Sequence, residues 1–389
     1  MTTVQPIETS ADVGQARPEP RAKDQAPSEP RTDSSARTAA APKRPSLASR
    51  LARGLSFNNI GAVYVWLAIV VVFSIWVPDT FPTLATVKQV LNANAITALA
   101  ALSITIPLAA RVFDLSFAYT MTLTGVITAH FLAVGVPLAP AIALGLGAGL
   151  LIGVSNAVVV VVFRIDSFIG TLATGSLIQA LITMATNGTA IISPKLQDGF
   201  QKIGQTNING FTLPVIYALV VAVAMWFLLE HTATGRRLYA TGFNANAAKL
   251  AGVRVERLRF LSLVVSGSLA GATGLVLASI IGSGDPGAGT AYLLPAFAAA
   301  FLGATQLKHG RFNSFGTLIA VLLLGTGTTG LGLANAPQWA ADMFVGVVLL
   351  ASLAVTGIQR RSTTGDPGRL RSLWQALRSG TAAKSFIRR

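Results

Sequence analysis

The sequence predicts an all-α, polytopic integral membrane protein of about ten transmembrane helices, and three observations carry that prediction. Only 12% of the 389 residues are charged while 52% are hydrophobic, and mean hydropathy is +0.60. A water-soluble chain carries roughly 25% charged residues. The apolar residues gather into runs near the ~20 residues that a helix needs to cross ~30 Å of hydrocarbon. When spans are placed on those runs, Lys and Arg divide 27 to 3 between the two sides. Such a bias marks the cytoplasmic face of a membrane protein.

Residues 1–59 are rich in Pro, Ala, Ser, Arg and acids, a composition that reads as a disordered, solvated tail. No apolar core lies near Met1, so no cleavable signal peptide is expected, and the first apolar run, 60–77, reads as a retained membrane anchor. Spans follow from near Ile60, Leu91, Leu115, Leu138 and Phe168, and after a polar gap from near Leu213, Phe260, Tyr292, Phe315 and Trp339. The run 138–163 is long enough to tilt, whereas 168–184 is short. This gives a tail over 1–59, a transmembrane domain over 60–358 and a basic tail over 359–389.

An even number of spans puts both tails on one side. Nine basic residues lie in 1–59, six in 230–259 and eight from Arg360 onward, with Arg111, Arg164, Lys308 and Arg311 in gaps on the same side. The other side holds only Lys88, Lys195 and Lys202. Both termini and the 230–259 loop are therefore expected in the cytoplasm. The net charge of +15 is then a topology signal, and no nucleic-acid partner is expected. Trp76 and Trp339 fall at outer span ends, where indole rings favour the headgroup level. In the C-terminal tail Leu370, Leu373, Trp374 and Leu377 alternate with Arg369, Arg371 and Arg378. That pattern fits a basic amphipathic helix on the membrane surface, or a frayed tail.

Several chemistries are excluded. The chain has no cysteine, and His130, His231 and His309 lie too far apart to form a ligand set, so no metal site is expected. No Gly-x-x-x-x-Gly-Lys-Ser/Thr occurs, so the chain does not cradle nucleotide phosphates by that route. No triad, carboxylate pair or metal cluster suggests an enzyme, and no cofactor is implied.

The stretch "GRRLYATGFNANAAKLAG", residues 235–252, is a polar island in this apolar chain. Asn244 suits an N-cap, 245–251 are good helix formers apart from Asn246, and Gly252 suits the left-handed residue that ends a helix. Two turns alone are marginal, since isolated helices below ~12 residues are not stable in water. Ala247, Leu250 and Ala251 form a small apolar knob beside Asn244 and Lys249, flanked by Arg236, Arg237, Arg254, Arg257 and Arg259. The island is either a connecting loop whose arginines hold topology or a docking helix for a cytoplasmic partner.

"TATGRRLYATGFNANAAKLAGVRVERLRFLSLVVSGSLAGATGLV" resembles the central segment of permease subunits of bacterial ABC importers for monosaccharides, the ribose-permease type. "DPGAGTAYLLPAFAAAFLGATQLKHGRFNSFGTLIAVLLLGTG", "RVFDLSFAYTMTLTG" and "GVSNAVVVVVFRIDSFIGTLATGSL" resemble the family's other recurring stretches, and the likeness covers roughly 92–359. The resemblance implies a bacterial inner-membrane permease without its own ATPase. A separate ABC ATPase subunit would seat on a coupling loop, 230–259, through Arg236, Arg237, Tyr239, Asn244, Lys249, Leu250, Ala251 and Gly252. It further implies a second permease copy, with the path between the two, and an extracytoplasmic substrate-binding protein that delivers a sugar. The sequence departs from the family where Gly-Gly-Ile/Val-Asp-Leu-Ser-Val-Gly is replaced by residues 110–118, and where Gly-Gly-Thr becomes Gly303, Ala304 and Thr305.

Polar residues within the membrane default to functional hypotheses. Asp114 and Arg111, three apart, are expected to pair on one helical face at the inner end of a span, as a structural ion pair or a functional one. Asn92, Asn94 and Asn156 either line the path or hydrogen-bond a neighbouring helix. Pro107 and Pro295 are expected to break helices and so to line a cavity. The glycines at 145, 147, 149 and 153 and at 267, 271 and 274 read as packing. Asp285, Pro286, Lys195, Asp198 and Lys202 either touch the binding protein or belong to solvated loops. The competing reading is an ion- or proton-driven secondary carrier, for which Asp114 is the main carboxylate, with Asp285 and Asp342 at outer ends.

Overall fold

A computed structural model describes residues 57–197, 199–306 and 310–363. The expectations for the N-terminal tail before Phe57, for Asp198, Lys308 and His309, and for the amphipathic segment after Thr363 lie outside the described residues. Among the described residues, six helices are long and apolar enough to cross a membrane. Shorter apolar helices at Val63–Trp76, Phe117–Ala133, Thr290–Thr305 and Gln338–Ser352 bring the number to ten, one for each expected span.

In chain order they are α1 (Phe57–Trp76), α2 (Leu84–Ala109), α3 (Phe117–Ala133), α4 (Leu138–Ala157), α5 (Ser167–Thr186) and α6 (Leu213–Trp226). Two short helices follow, α7 (Ala233–Phe243) and α8 (Ala245–Leu250), and then α9 (Val255–Ile281), α10 (Leu293–Gln306), α11 (Ser314–Leu333) and α12 (Gln338–Thr363). Single π-helical stretches, Val158–Val162 and Phe227–His231, extend α4 and α6. Several helices begin earlier than the apolar runs do, because capped polar turns precede the apolar residues. Thr83 Oγ1 accepts from Thr86 N at 3.2 Å, so α2 starts at Leu84 rather than near Leu91. Asp166 Oδ1 accepts from Phe168 N and Ile169 N at 3.0 and 3.3 Å and starts α5.

The polar gap between α5 and α6 is ordered. It contains a 3-10 turn (Pro194–Leu196), an α-helical turn (Lys202–Gln205) and an antiparallel hairpin, β1 (Asn207–Ile208) with β2 (Phe211–Thr212). Asn209 and Gly210, at φ 54° and 92°, make its turn, where a left-handed pair matches the twist of the two strands.

Helices α2 and α9 form the centre. From Ala95 to Ala109 every residue of α2 is buried. The α9 helix packs on α4, α3 and α2, while α2 packs on α11, α10 and α9. Likewise α3 packs on α4 and α5, and α10 on α11 and α12. Exchanging α2 with α9, α3 with α10, α4 with α11 and α5 with α12 maps this pattern onto itself. Because α2 and α9 are an odd number of spans apart, the two halves are inverted repeats, an arrangement common among transporters.

The glycines expected to serve packing do so, with the exception of Gly147. A methyl on Gly267 would lie 2.6 Å from Gly153 Cα, and one on Gly274 would overlap the Met121 carbonyl. Backbone therefore meets backbone along α9, which maximises dispersion contact where lipid offers no hydrophobic driving force. Gly147 has nothing within 4 Å and carries no such constraint.

Candidate functional site

The polar island folds into two consecutive helices on the loop between α6 and α9. Thr232 Oγ1 accepts from Gly235 N at 3.1 Å and caps α7. A β-carbon on Gly235 would overlap the Leu228 and Leu229 carbonyls, so only glycine lets the chain turn this tightly out of α6. Gly235, Leu238, Thr241 and Gly242 form the buried face of α7, and Arg236 and Arg237 point outward. Gly242 lies against the Ala109 carbonyl, seating α7 on the end of α2.

The expected cap is present one helix later. Asn244 is extended and its Oδ1 accepts from Ala247 N at 3.0 Å, starting α8. At the other end Gly252 is left-handed, with φ 79°. Its N–H donates to Lys249 O at 2.9 Å, and Val253 N–H donates to Ala248 O at 2.9 Å. This paired closure satisfies the last carbonyls of a helix too short to hold itself. Lys249 forms an ion pair with Glu256 at 2.5 Å, tying α8 to the first turn of α9. Ala248 is buried, so α8 is pinned on one side. On the other, Leu250 is 92% exposed and Ala247 and Ala251 are exposed beside it. Phe243, at the α7–α8 junction, is 83% exposed. The sequence reading did not single out Phe243, although an aromatic next to an N-cap asparagine in a polar loop is a visible signal.

Among the residues expected to seat the ATPase, Tyr239 differs from Arg236, Arg237, Asn244, Lys249, Leu250, Ala251 and Gly252, which are exposed, because it faces inward. Its hydroxyl donates to the Phe312 carbonyl at 2.8 Å, and the Arg311 guanidinium lies 5.6 Å from its ring centroid. Burial, reinforced by Glu230 and opposed by Arg311, raises its pKa above the usual 10.0. The hydroxyl is therefore a protonated donor at neutral pH.

The second constellation surrounds the break between α2 and α3. Pro107 lies in the last turn of α2, and residues 112–115 are not helical. Arg111 is left-handed (φ 55°) and exposed, while Asp114 is fully buried, so the two do not share a helical face as the sequence suggested. The left-handed Arg111 closes α2, with Val112 N–H donating to Pro107 O at 2.9 Å, before that face can continue. Asp114 Oδ1 accepts from Ser116 N at 3.0 Å and Ser116 Oγ at 2.7 Å, and Oδ2 accepts from Ser266 Oγ of α9 at 2.7 Å. Asn156 Nδ2 of α4 donates to Ser116 Oγ at 2.6 Å. Leu115 N and Phe113 N donate to Thr171 Oγ1 and Ser167 Oγ of α5. Irregular backbone in a membrane is tolerated when protein satisfies its polar groups, and here three helices supply the partners.

The remaining path candidates are engaged locally. Asn92 Nδ2 donates to Gly210 O at 3.0 Å and its Oδ1 accepts from Thr212 N at 2.9 Å, so this amide holds the hairpin. Asn94 Nδ2 donates to Val90 O of its own helix at 2.8 Å and packs against Gly325 of α11. Pro295 begins α10 rather than breaking a helix, since a first-turn residue needs no N–H partner. The structure thus brings Asp114 and Asn156 together and leaves Asn92, Asn94 and Pro295 apart from them.

A polar stripe that the sequence reading missed lies on α5. Ser176 and Thr183 are exposed and Gln179 is half-buried on one face, at spacings of three and four. The exposed residues of α1 from Tyr64 to Trp76, and of α6 from Ile216 to Phe227, are all apolar or aromatic. Ser176 Oγ donates to Leu172 O at 3.2 Å and Thr183 Oγ1 to Gln179 O at 3.0 Å, so both hydroxyls are satisfied within the helix, and the Gln179 amide is the group of this face that is most costly to leave in hydrocarbon.

Comparison with known proteins adds the family. The family described as branched-chain amino acid transport system / permease component matches residues 86–353. The chain is 31% identical over 300 residues to the ribose import permease protein of Escherichia coli K12, covering 77% of this chain and 92% of that one. It is 33% identical over 285 residues to the ribose import permease protein of Bacillus subtilis 168, covering 73% and 88%. To the L-arabinose ABC transporter permease protein of Azospirillum brasilense it is 30% identical over 296 residues, covering 76% and 86%. No solved structure matches the chain. With residues 86–353 matched and ten apolar helices among the described residues, the chain belongs to the family of branched-chain amino acid transport system permease components.

Proposed function

We propose that this chain is the transmembrane permease subunit of an ATP-binding-cassette importer for a monosaccharide or sugar-like solute, working with a separate ATPase and an extracytoplasmic binding protein. The relatives are named as permeases for ribose and L-arabinose, which supports the solute class. The observation that carries the coupling role is α8: a helix of six residues, capped at both ends, that presents Leu250 to solvent beside Phe243 at the end of α7. An exposed apolar knob on an ordered loop fits a partner's groove. Arg236, Arg237, Asn244, Ala251 and Gly252 shape or flank that knob, and Lys249 steadies it through Glu256.

The path is assigned to the face of α5 that bears Ser176, Gln179 and Thr183, completed by a second permease copy. Hydroxyls and an amide suit the hydroxyl groups of a sugar, and a second copy would remove them from lipid. Asp114 and Asn156 are placed as the brace of the α2–α3 break rather than as path residues. The secondary-carrier reading needs Asp114 to exchange ions, yet its two oxygens are held by Ser116 and Ser266. Both termini and the α7–α8 loop are assigned to the cytoplasmic side of a bacterial inner membrane, from the distribution of basic residues.

The deciding experiment reconstitutes the chain with its cognate ATPase and binding protein in proteoliposomes. Loaded binding protein should stimulate ATP hydrolysis and sugar uptake together. Uptake driven by an ion gradient without the ATPase would refute the proposal.

A further inference from the structure

We propose that Tyr239 is a positioning residue that transmits movement of the docking helix α8 into the α10–α11 hairpin, an inference that rests on the importer reading above. Its hydroxyl is bonded to a backbone carbonyl in a segment that is itself fixed at both ends. Phe312, whose carbonyl accepts the bond, is buried, and its ring meets Phe301 of α10 edge-on at 5.5 Å. The next residue, Asn313, caps α11 through Oδ1, which accepts from Gly316 N at 2.7 Å. Its amide Nδ2 reaches back to Arg311 O at 2.9 Å and toward Gly303 O of α10 at 3.4 Å. Residues 311–313 therefore cannot shift without carrying the ends of both α10 and α11.

At its other end α7 leads through a single residue, Asn244, into α8. Gly242 holds α7 against the end of α2, in the opposite half of the inverted repeat. A push on Leu250 or Phe243 thus reaches α9 through the chain and the Lys249–Glu256 pair, α2 through a van der Waals seat, and α10–α11 through the Tyr239 hydroxyl. The seat can only push. The hydroxyl bond, with Arg311 over the ring, can also pull, so the return stroke of the α10–α11 hairpin depends on Tyr239.

The test uses the full complex in proteoliposomes, with Tyr239→Phe and Arg311→Gln. The phenylalanine keeps the ring and the cation above it and removes only the donor. The expected result is normal retention of the ATPase, continued ATP hydrolysis, and sugar uptake per ATP lowered on the order of 3–10-fold, the range of one net hydrogen bond. Arg311→Gln should shift the same ratio in the same direction, by about 2-fold. Hydrogen exchange gives a second readout: nucleotide binding should alter protection over 311–316 in the wild type but not in Tyr239→Phe. An unchanged ratio and unchanged exchange response would overturn the proposal. So would loss of ATPase retention, which would make Tyr239 a docking residue. If the wild-type complex itself takes up sugar without ATP, the importer reading fails, and the wild-type arm identifies that failure.

Discussion

Replacing Leu250 with Asp isolates the docking contact from every other property of the chain. The side chain is 92% exposed, so the substitution removes almost no contact within the permease. Its effect on the permease alone should stay within ~0.5 kcal/mol, as for other surface changes. In the importer proposed above the same side chain would be buried under the ATPase, where a leucine is worth roughly 1.5–3 kcal/mol. Each 1.4 kcal/mol is a factor of ten, so losing the burial alone weakens ATPase binding about 10–100-fold. The unpaired aspartate that must be desolvated in its place adds to that loss. The assay is ATPase titration against tagged permease in nanodiscs, with thermal unfolding of the permease measured in parallel. The expected pair of results is a weakened ATPase and an unchanged melting temperature. Unaltered affinity would refute the docking role of α8, and a lowered melting temperature would show that Leu250 packs within the permease. Phe243→Asp, at 83% exposure, should behave the same way.

Three further outcomes follow from the geometry. Gly267→Ala should destabilise the chain by about 1–3 kcal/mol because its methyl enters the Gly153 backbone, whereas Gly147→Ala, with open space around it, should be neutral; equal melting temperatures for the two would contradict the close packing of α4 on α9. Ser266→Ala leaves Asp114 Oδ2 without its α9 donor and should cost about 1–3 kcal/mol of stability, read as a lowered melting temperature in detergent. The third concerns pH. A phenol whose pKa is raised in the folded state stabilises fully below its ordinary value of 10.0 and loses that contribution progressively as pH rises from there through the higher value. The difference spectrum between wild type and Tyr239→Phe should therefore show no tyrosinate at pH 10, and appearance of its absorbance at or below that pH would refute the burial of the hydroxyl.

Much of this protein was legible in one dimension because a bilayer imposes a one-dimensional rule. Every span must be apolar over nearly the same length, so ten spans and their order could be read from hydropathy. Local chemistry fixed α8 in the same way: the Asn244 cap and the left-handed Gly252 bond backbone groups three residues away. The sidedness of the chain likewise rests on its basic residues alone.

Tertiary structure decided what each polar residue in the membrane does, because an amide or carboxylate finds its partner at any sequence distance. Asn92 looked the same as a path residue until Gly210 and Thr212 were found beside it, and Asp114 meets Ser266 across 152 positions. Tyr239 was grouped with an outward-facing island, yet the fold turned it inward onto Phe312. The stripe on α5 was hidden for the converse reason. Ser176, Gln179 and Thr183 are unremarkable in a helix, and only the packing of α3 and α4 behind them shows that they face away from the core. The sequence determines which segments enter the membrane and how they end. Which side chains meet, and which remain for another molecule, depends on how those segments pack against one another.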